Sequence, residues 1–177
     1  MNLQKLEYFF FIENFNSINM DKIKKFKKLH IIYSYTKNSN FKDIISLEKF
    51  CKKNKIRFYI SNYIKKLNYI KIDGIHIPSS NKSRILSMKN KIDIIGTAHN
   101  QLEYYIKKNQ GCSRIFLSPL FFTNKYSDNK ILKLNRFNLI SKSWSEKILA
   151  LGGIREKNLN QLKILKIFGV GSIALFK

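Results

Sequence analysis

Apolar and aromatic residues gather along this chain in short runs, and the runs return about every 20 to 25 positions. They read YFFFI (8–12), HIIYSY (30–35), RFYIS (57–61), GIHI (74–77), DIIGTA (93–98), RIFLS (114–118), KILAL (147–151) and SIALF (172–176). The spacing predicts eight β-strands. Several runs are apolar at nearly every position instead of alternating, as strands covered on both faces are. Most of the intervals are lysine-rich and carry helical spacing. In FKDIISLEKFCKK (41–53), Phe41, Ile44, Ile45, Leu47, Phe50 and Cys51 fall largely on one face, which predicts an amphipathic helix. Strands that alternate with helices imply a parallel sheet. Eight such units predict an α/β fold of the TIM type, a (β/α)8 barrel; an open doubly wound sheet is the second reading. The 177 residues make the units short, because such barrels usually take about 250 residues. The eighth run reaches Phe176 and Lys177 closes the sequence, so no final helix is expected. The length predicts a single domain over residues 1–177.

Composition changes this picture in one respect. No apolar run approaches the roughly 20 residues of a membrane span, and the apolar stretch at 6–12 lacks the flanks of a signal peptide, so a cytoplasmic protein is expected. Cys51 and Cys112 stand far apart in no C-x-x-C pattern, which predicts two ordinary half-buried thiols and neither a disulfide nor a metal site. The charge is large, 34 Lys+Arg against 11 Asp+Glu for a net +23. Only five of those cations are arginine and the lysines are spread throughout. Specific nucleic-acid recognition favours arginine, so the charge predicts no more than non-specific, salt-sensitive adhesion to nucleic acid, together with a general attraction for phosphorylated ligands.

In parallel α/β folds function sits at the carboxyl ends of the strands. In chain order those positions hold Lys37; Ser61 and Asn62; Pro78 to Asn81; Thr97 and His99; Thr123 and Lys125; and the pair Gly152–Gly153. Hydroxyls, amides, lysines, one imidazole and two glycines are groups that hold phosphate oxygens. His76 lies in the middle of the fourth strand, where a core role satisfied by a neighbour is expected. His30 opens the second strand, at the wrong end for chemistry.

Four stretches, DGIHI (73–77), IIGTAH (94–99), SPLFFT (118–123) and LALGGI (149–154), resemble in order and approximate spacing the thiamine phosphate synthase/TenI family. The resemblance runs from about Phe58 to Phe176; upstream only YSYTK (33–37) matches, with Tyr35 where the family tends to have arginine. It implies a (β/α)8 barrel that handles phosphorylated thiazole and pyrimidine intermediates of thiamine synthesis. It assigns Gly152 and Gly153 to the thiazole phosphate, Thr123 to a diphosphate, and Lys37 and Lys125 to the substrate site, although Lys125 stands one position before the family's lysine; Ser61, Asn62 and Thr97 are candidates for that site from their strand-end positions. In the synthase branch carboxylates bind Mg²⁺ at the places held here by Asn62 and Asn81. Neutral amides are poor replacements for them, so the metal's ligands are expected to be missing and no cofactor is required. His99 matches the histidine that serves as acid or base in the TenI-type tautomerases, a proton transfer that needs no metal. The resemblance thus implies TenI-like chemistry over efficient Mg²⁺-dependent synthesis. A non-catalytic binding relative and a nucleic-acid-associated protein are the alternatives, and a homodimer that covers the eighth strand is a further expectation.

Overall fold

The computed structural model describes residues 3–36, 38–62, 69–83, 92–124 and 127–176. Eight strands close into a parallel barrel in chain order: β1 (Glu7–Ile12), β2 (Leu29–Ser34), β3 (Arg57–Ser61), β4 (Gly74–Ile77), β5 (Asp93–Ala98), β6 (Arg114–Leu117), β7 (Lys147–Leu151) and β8 (Gly169–Ser172). Closure is made by β8, which pairs with both β7 and β1. The helices described are α1 (Met20–Ile23), α2 (Phe41–Asn54), α3 (Gln101–Asn109) and α4 (Lys133–Lys142), and a 3-10 helix, Glu156–Ile164, links β7 to β8.

Seven of the predicted strands stand within a residue of their expected limits; the eighth does not. SIALF (172–176) was the apolar run, yet the strand is Gly169–Ser172. The physical reason is the width of the barrel. Side chains that point inward stack in layers of four, contributed by alternate strands. Phe9, Tyr59, Ile95 and Leu149 form one layer, and Ile32, His76, Phe116 and Gly171 the next. A Cβ on Gly171 would stand 2.7 Å from the Phe116 ring, so β8 must give its inward position no side chain at all. Hydrophobic patterning cannot find a strand whose inward residues are glycines.

The outward faces of the strands pack beneath the helices in a second core that includes Phe10, Ile31, Phe58, Ile115 and Ile148. Helix α2 begins and ends where its residues dictate. The Asn40 side chain accepts a hydrogen bond from the Lys42 N–H at 2.9 Å, satisfying a donor the helix itself leaves open. Lys55, in the left-handed conformation (φ 55°), stops it. Ile44, Leu47 and Cys51 form its buried face. Both cysteines, expected to be half-buried, are buried fully, and burial pushes each thiol up to about 12.

Candidate functional site

Loops at the carboxyl ends of the strands form the mouth of the barrel. Gly152 and Gly153 follow β7 with φ of 100° and 67°, a region that residues with a Cβ seldom enter. Space demands glycine as well. A Cβ on Gly153 would stand 2.4 Å from the Phe122 carbonyl oxygen, and one on Gly152 would stand 2.8 Å from Pro119 Cα. The pair is therefore required first by the loop after β6, which lies directly on it: the Phe121 N–H donates to the Gly152 carbonyl at 3.0 Å.

Where these two segments meet, a cleft of about 290 Å³ opens, lined by Thr123, Gly152, Gly153, Arg155, Ser172 and their neighbours. Three of the sequence-predicted residues thus converge. Thr123 Oγ1 is buried and has no hydrogen-bond partner among the described residues, an arrangement that native structures tolerate mainly where a ligand or water completes it. Phe122 and Ile173, both exposed, add an apolar rim. A larger cavity of about 360 Å³ lies elsewhere, against Arg57, Phe58 and Asp73 at the amino ends of β3 and β4, where barrels carry stability instead of chemistry.

Below the mouth, Ser61 and Thr97 meet at His76. The ring accepts or donates one hydrogen bond at each nitrogen, Nδ1 to Ser61 Oγ at 2.9 Å and Nε2 to Thr97 Oγ1 at 2.8 Å. Phe11 and Phe116 meet it edge-on. Burial, with the Lys107 charge second, lowers its pKa to about 3, so the ring is neutral; one hydroxyl donates to it and the other accepts from it. Its mid-strand position predicted a satisfied core histidine, and it is one with two partners.

His99 stands just past β5 at the mouth. Its Nδ1 lies 2.7 Å from the Ser118 carbonyl oxygen. A carbonyl can only accept, so Nδ1 carries the proton and the lone pair of the neutral ring is on Nε2. The backbone is held too. The His99 N–H donates to Glu103 Oε2 at 2.7 Å, and Asn100 caps α3 by accepting from the Glu103 N–H at 2.9 Å. Glu103 is a positioning residue that lies on α3, away from the strand ends; its signal in the sequence is its place three residues after a capping asparagine. Ser118 opens the loop that carries Thr123, so the His99 ring is held by the loop that also lines the cleft.

Asn62 is exposed and left-handed (φ 56°), its N–H donating to the His76 carbonyl at 3.2 Å. The Asn81 side chain accepts from the Ser83 N–H at 3.0 Å. Its carbonyl accepts from Lys107 Nζ at 2.6 Å and from Gln110 Nε2 at 3.1 Å. Lys107 is fully buried, which lowers its pKa, and it anchors the loop after β4 from outside the barrel wall. These residues do not fit Mg²⁺: the amides are neutral, the Asn81 side-chain oxygen is engaged, and an ammonium lies against its carbonyl. Among the described residues no group of three or more His, Cys, Asp or Glu is placed to hold a metal. Lys37 and Lys125 lie outside the described residues. No described helix is long and apolar enough to cross a membrane.

Comparison with known proteins gives the family and agrees with the fold. The family model described as thiamine monophosphate synthase matches residues 32–176, well over half of the chain. The thiamine-phosphate synthase of Methanococcus vannielii is 23% identical over 144 residues, covering 78% of this chain and 70% of that protein. That of Prochlorococcus marinus subsp. pastoris is 25% identical over 127 residues, but the match spans only 36% of its length. Among solved structures, the thiamine phosphate pyrophosphorylase from Pyrococcus furiosus superposes with a TM-score of 0.72 at 12% identity, covering 96% of this chain and 86% of that one. At that identity the likeness speaks for the fold.

Proposed function

This chain belongs to the thiamine monophosphate synthase family, and from that membership and the mouth geometry we propose that it binds a phosphorylated thiazole there. Gly152, Gly153 and Thr123 hold the phosphate, and His99 moves a proton on the bound ring. The observation that carries the reading is the buried Thr123 hydroxyl without a partner among the described residues, set in a cleft beside two left-handed glycines. Phosphate oxygens would supply what Thr123 lacks, and Phe122 with Ile173 offers an apolar surface to a flat ring. His99 supports proton transfer because its tautomer is held by Ser118, which keeps Nε2 as the accepting atom. Asn62 and Asn81 argue against efficient Mg²⁺-dependent condensation, so the chemistry proposed is of the TenI type and requires no metal.

Calorimetric titration with thiazole phosphate, with and without Mg²⁺, tests the binding. Saturable binding that Mg²⁺ leaves unchanged is expected. Interconversion of thiazole phosphate tautomers, followed by NMR, should vanish in His99→Asn while the calorimetric affinity for thiazole phosphate is unchanged, since an asparagine can still donate to the Ser118 carbonyl. Rapid Mg²⁺-dependent joining of a pyrimidine diphosphate to thiazole phosphate would overturn the proposal. Tight binding without turnover would favour the non-catalytic reading.

A further inference from the structure

The cleft contains one charged side chain among its described lining residues, Arg155, and nothing in the strand-end pattern pointed to it. It is exposed and follows Ile154 at the start of the link from β7 to the 3-10 helix. No ion pair joins it to a described carboxylate.

The backbone around it is arranged for an anion. Three successive carbonyls that would repel negative charge are already engaged: Gly152 O by the Phe121 N–H at 3.0 Å, Gly153 O by Asn158 Nδ2 at 2.9 Å, and Ile154 O by the Ser172 hydroxyl at 2.7 Å. Asn158 uses its other atom on the same turn, its Oδ1 accepting from the Arg155 N–H at 2.9 Å. One amide therefore clamps the turn that carries both Gly153 and Arg155. The Gly153 N–H donates to no described residue. What remains for a ligand includes three donors, the Thr123 hydroxyl, the Gly153 N–H and the guanidinium, beside the Phe122 carbonyl oxygen that lies against Gly153. Ser172 has no proton left to donate, because its hydroxyl proton goes to Ile154.

We propose that Arg155 is the specificity-determining residue of this cleft: it reads the second negative charge of a phosphate monoester, and Asn158 holds it in place to do so. This rests on the phosphate-binding reading above. A hydroxyl and one N–H can bind any oxyanion, whereas a guanidinium adds a charge-assisted and bidentate contact that a dianion satisfies best.

The test titrates wild type, Arg155→Ala and Arg155→Lys with three probes: thiazole phosphate, its dephosphorylated alcohol, and inorganic phosphate. Lys142→Ala, on the exposed end of α4, controls for the diffuse effect of the +23 charge. Arg155→Ala is expected to weaken both phosphates about 10- to 100-fold, to leave the alcohol unchanged, and to fold normally because the side chain is exposed. Arg155→Lys should fall between, and Lys142→Ala should match wild type. Equal affinity of wild type and Arg155→Ala for thiazole phosphate would overturn the assignment while leaving the proposed function standing. Inorganic phosphate bound through Arg155, with no affinity for thiazole phosphate, would uphold the assignment and sink that function. Binding of neither phosphate by the wild type would overturn both.

Discussion

The floor and the mouth of this barrel are both polar, and they are polar in opposite ways. At the floor, Glu7, Arg57, Asp93 and Lys147 form a charged layer that Arg114 crosses from the layer above. Arg114 pairs with both Glu7 and Asp93, donates to Tyr59 Oη at 3.0 Å and lies over the Phe9 ring. The Tyr59 hydroxyl in turn donates to Asp93 at 2.8 Å. At the mouth the polar groups are fewer in charge and less complete in their bonding: among the described residues Thr123 Oγ1 and the Gly153 N–H have no partner and Arg155 has no counter-ion. Density of polar residues does not distinguish a site from a structural plug. Balance does, because a group satisfied by its neighbours has nothing left to offer a ligand.

The contrast can be broken at the floor with the largest effect. Arg114→Met should lower stability by about 3 kcal/mol, since removing one partner leaves buried charge uncompensated; Glu7 and Asp93 keep 31% and 22% exposure, which holds the loss to the lower end. Urea unfolding would read it, and affinity of the folded protein for thiazole phosphate should not change. A loss of affinity at full stability would instead make the floor part of the site.

A smaller but double effect is expected at the mouth. Gly153→Ala meets both a left-handed backbone and a carbonyl 2.4 Å from the new Cβ, and should cost about 2 kcal/mol while also weakening phosphate binding. Denaturation and calorimetry on the same sample separate the two. Unchanged affinity would mean that the glycine serves the loop alone.

The two buried histidines sharpen the comparison most finely. His30, one layer below Phe9 and stacked on it, has no hydrogen-bond partner at either nitrogen among the described residues; burial first, then Arg114 and Arg57, lowers its pKa to about 3 against an ordinary 6.5. His76 reaches the same value with both nitrogens bonded. His76→Leu should cost about 2 kcal/mol at pH 7, leaving two hydroxyls unpaired, whereas His30→Leu should change stability by less than about 1 kcal/mol. Between pH 6.5 and about 3 the unfolded rings bind protons that the folded rings refuse. Stability must therefore fall as pH falls through that window, by up to about 1.4 kcal/mol per pH unit for each ring. Each variant should flatten the slope of unfolding free energy against pH. A parallel slope in either would show that its histidine is not held neutral.

Much of this was legible along the chain. Apolar runs bounded β3, β4, β5 and β7 to the residue, and Asn40 and Lys55 bracket α2 as local chemistry requires. The glycine pair was visible too, although its first cause is the loop lying on it. Arg155 was not visible, because one more basic residue among 34 carries no signal. Nor was Lys107, a cation at a fully buried helix position, which donates to Gln110 three residues on and to the Asn81 carbonyl in a loop 26 residues away in sequence.

By itself, then, the sequence determined the architecture, since periodicity and capping act between near neighbours, and it named the carboxyl ends of the strands as the place for candidate chemistry. Tertiary structure decided which polar groups are free to act. That Ser61 and Thr97 turn to His76, that Asn158 ties Gly153 to Arg155, and that β8 is built on glycine all depend on closing the barrel. Closure brings together residues whose separation along the chain says nothing of their distance in space. A hydrogen bond, once made, removes a group from the set a ligand can use.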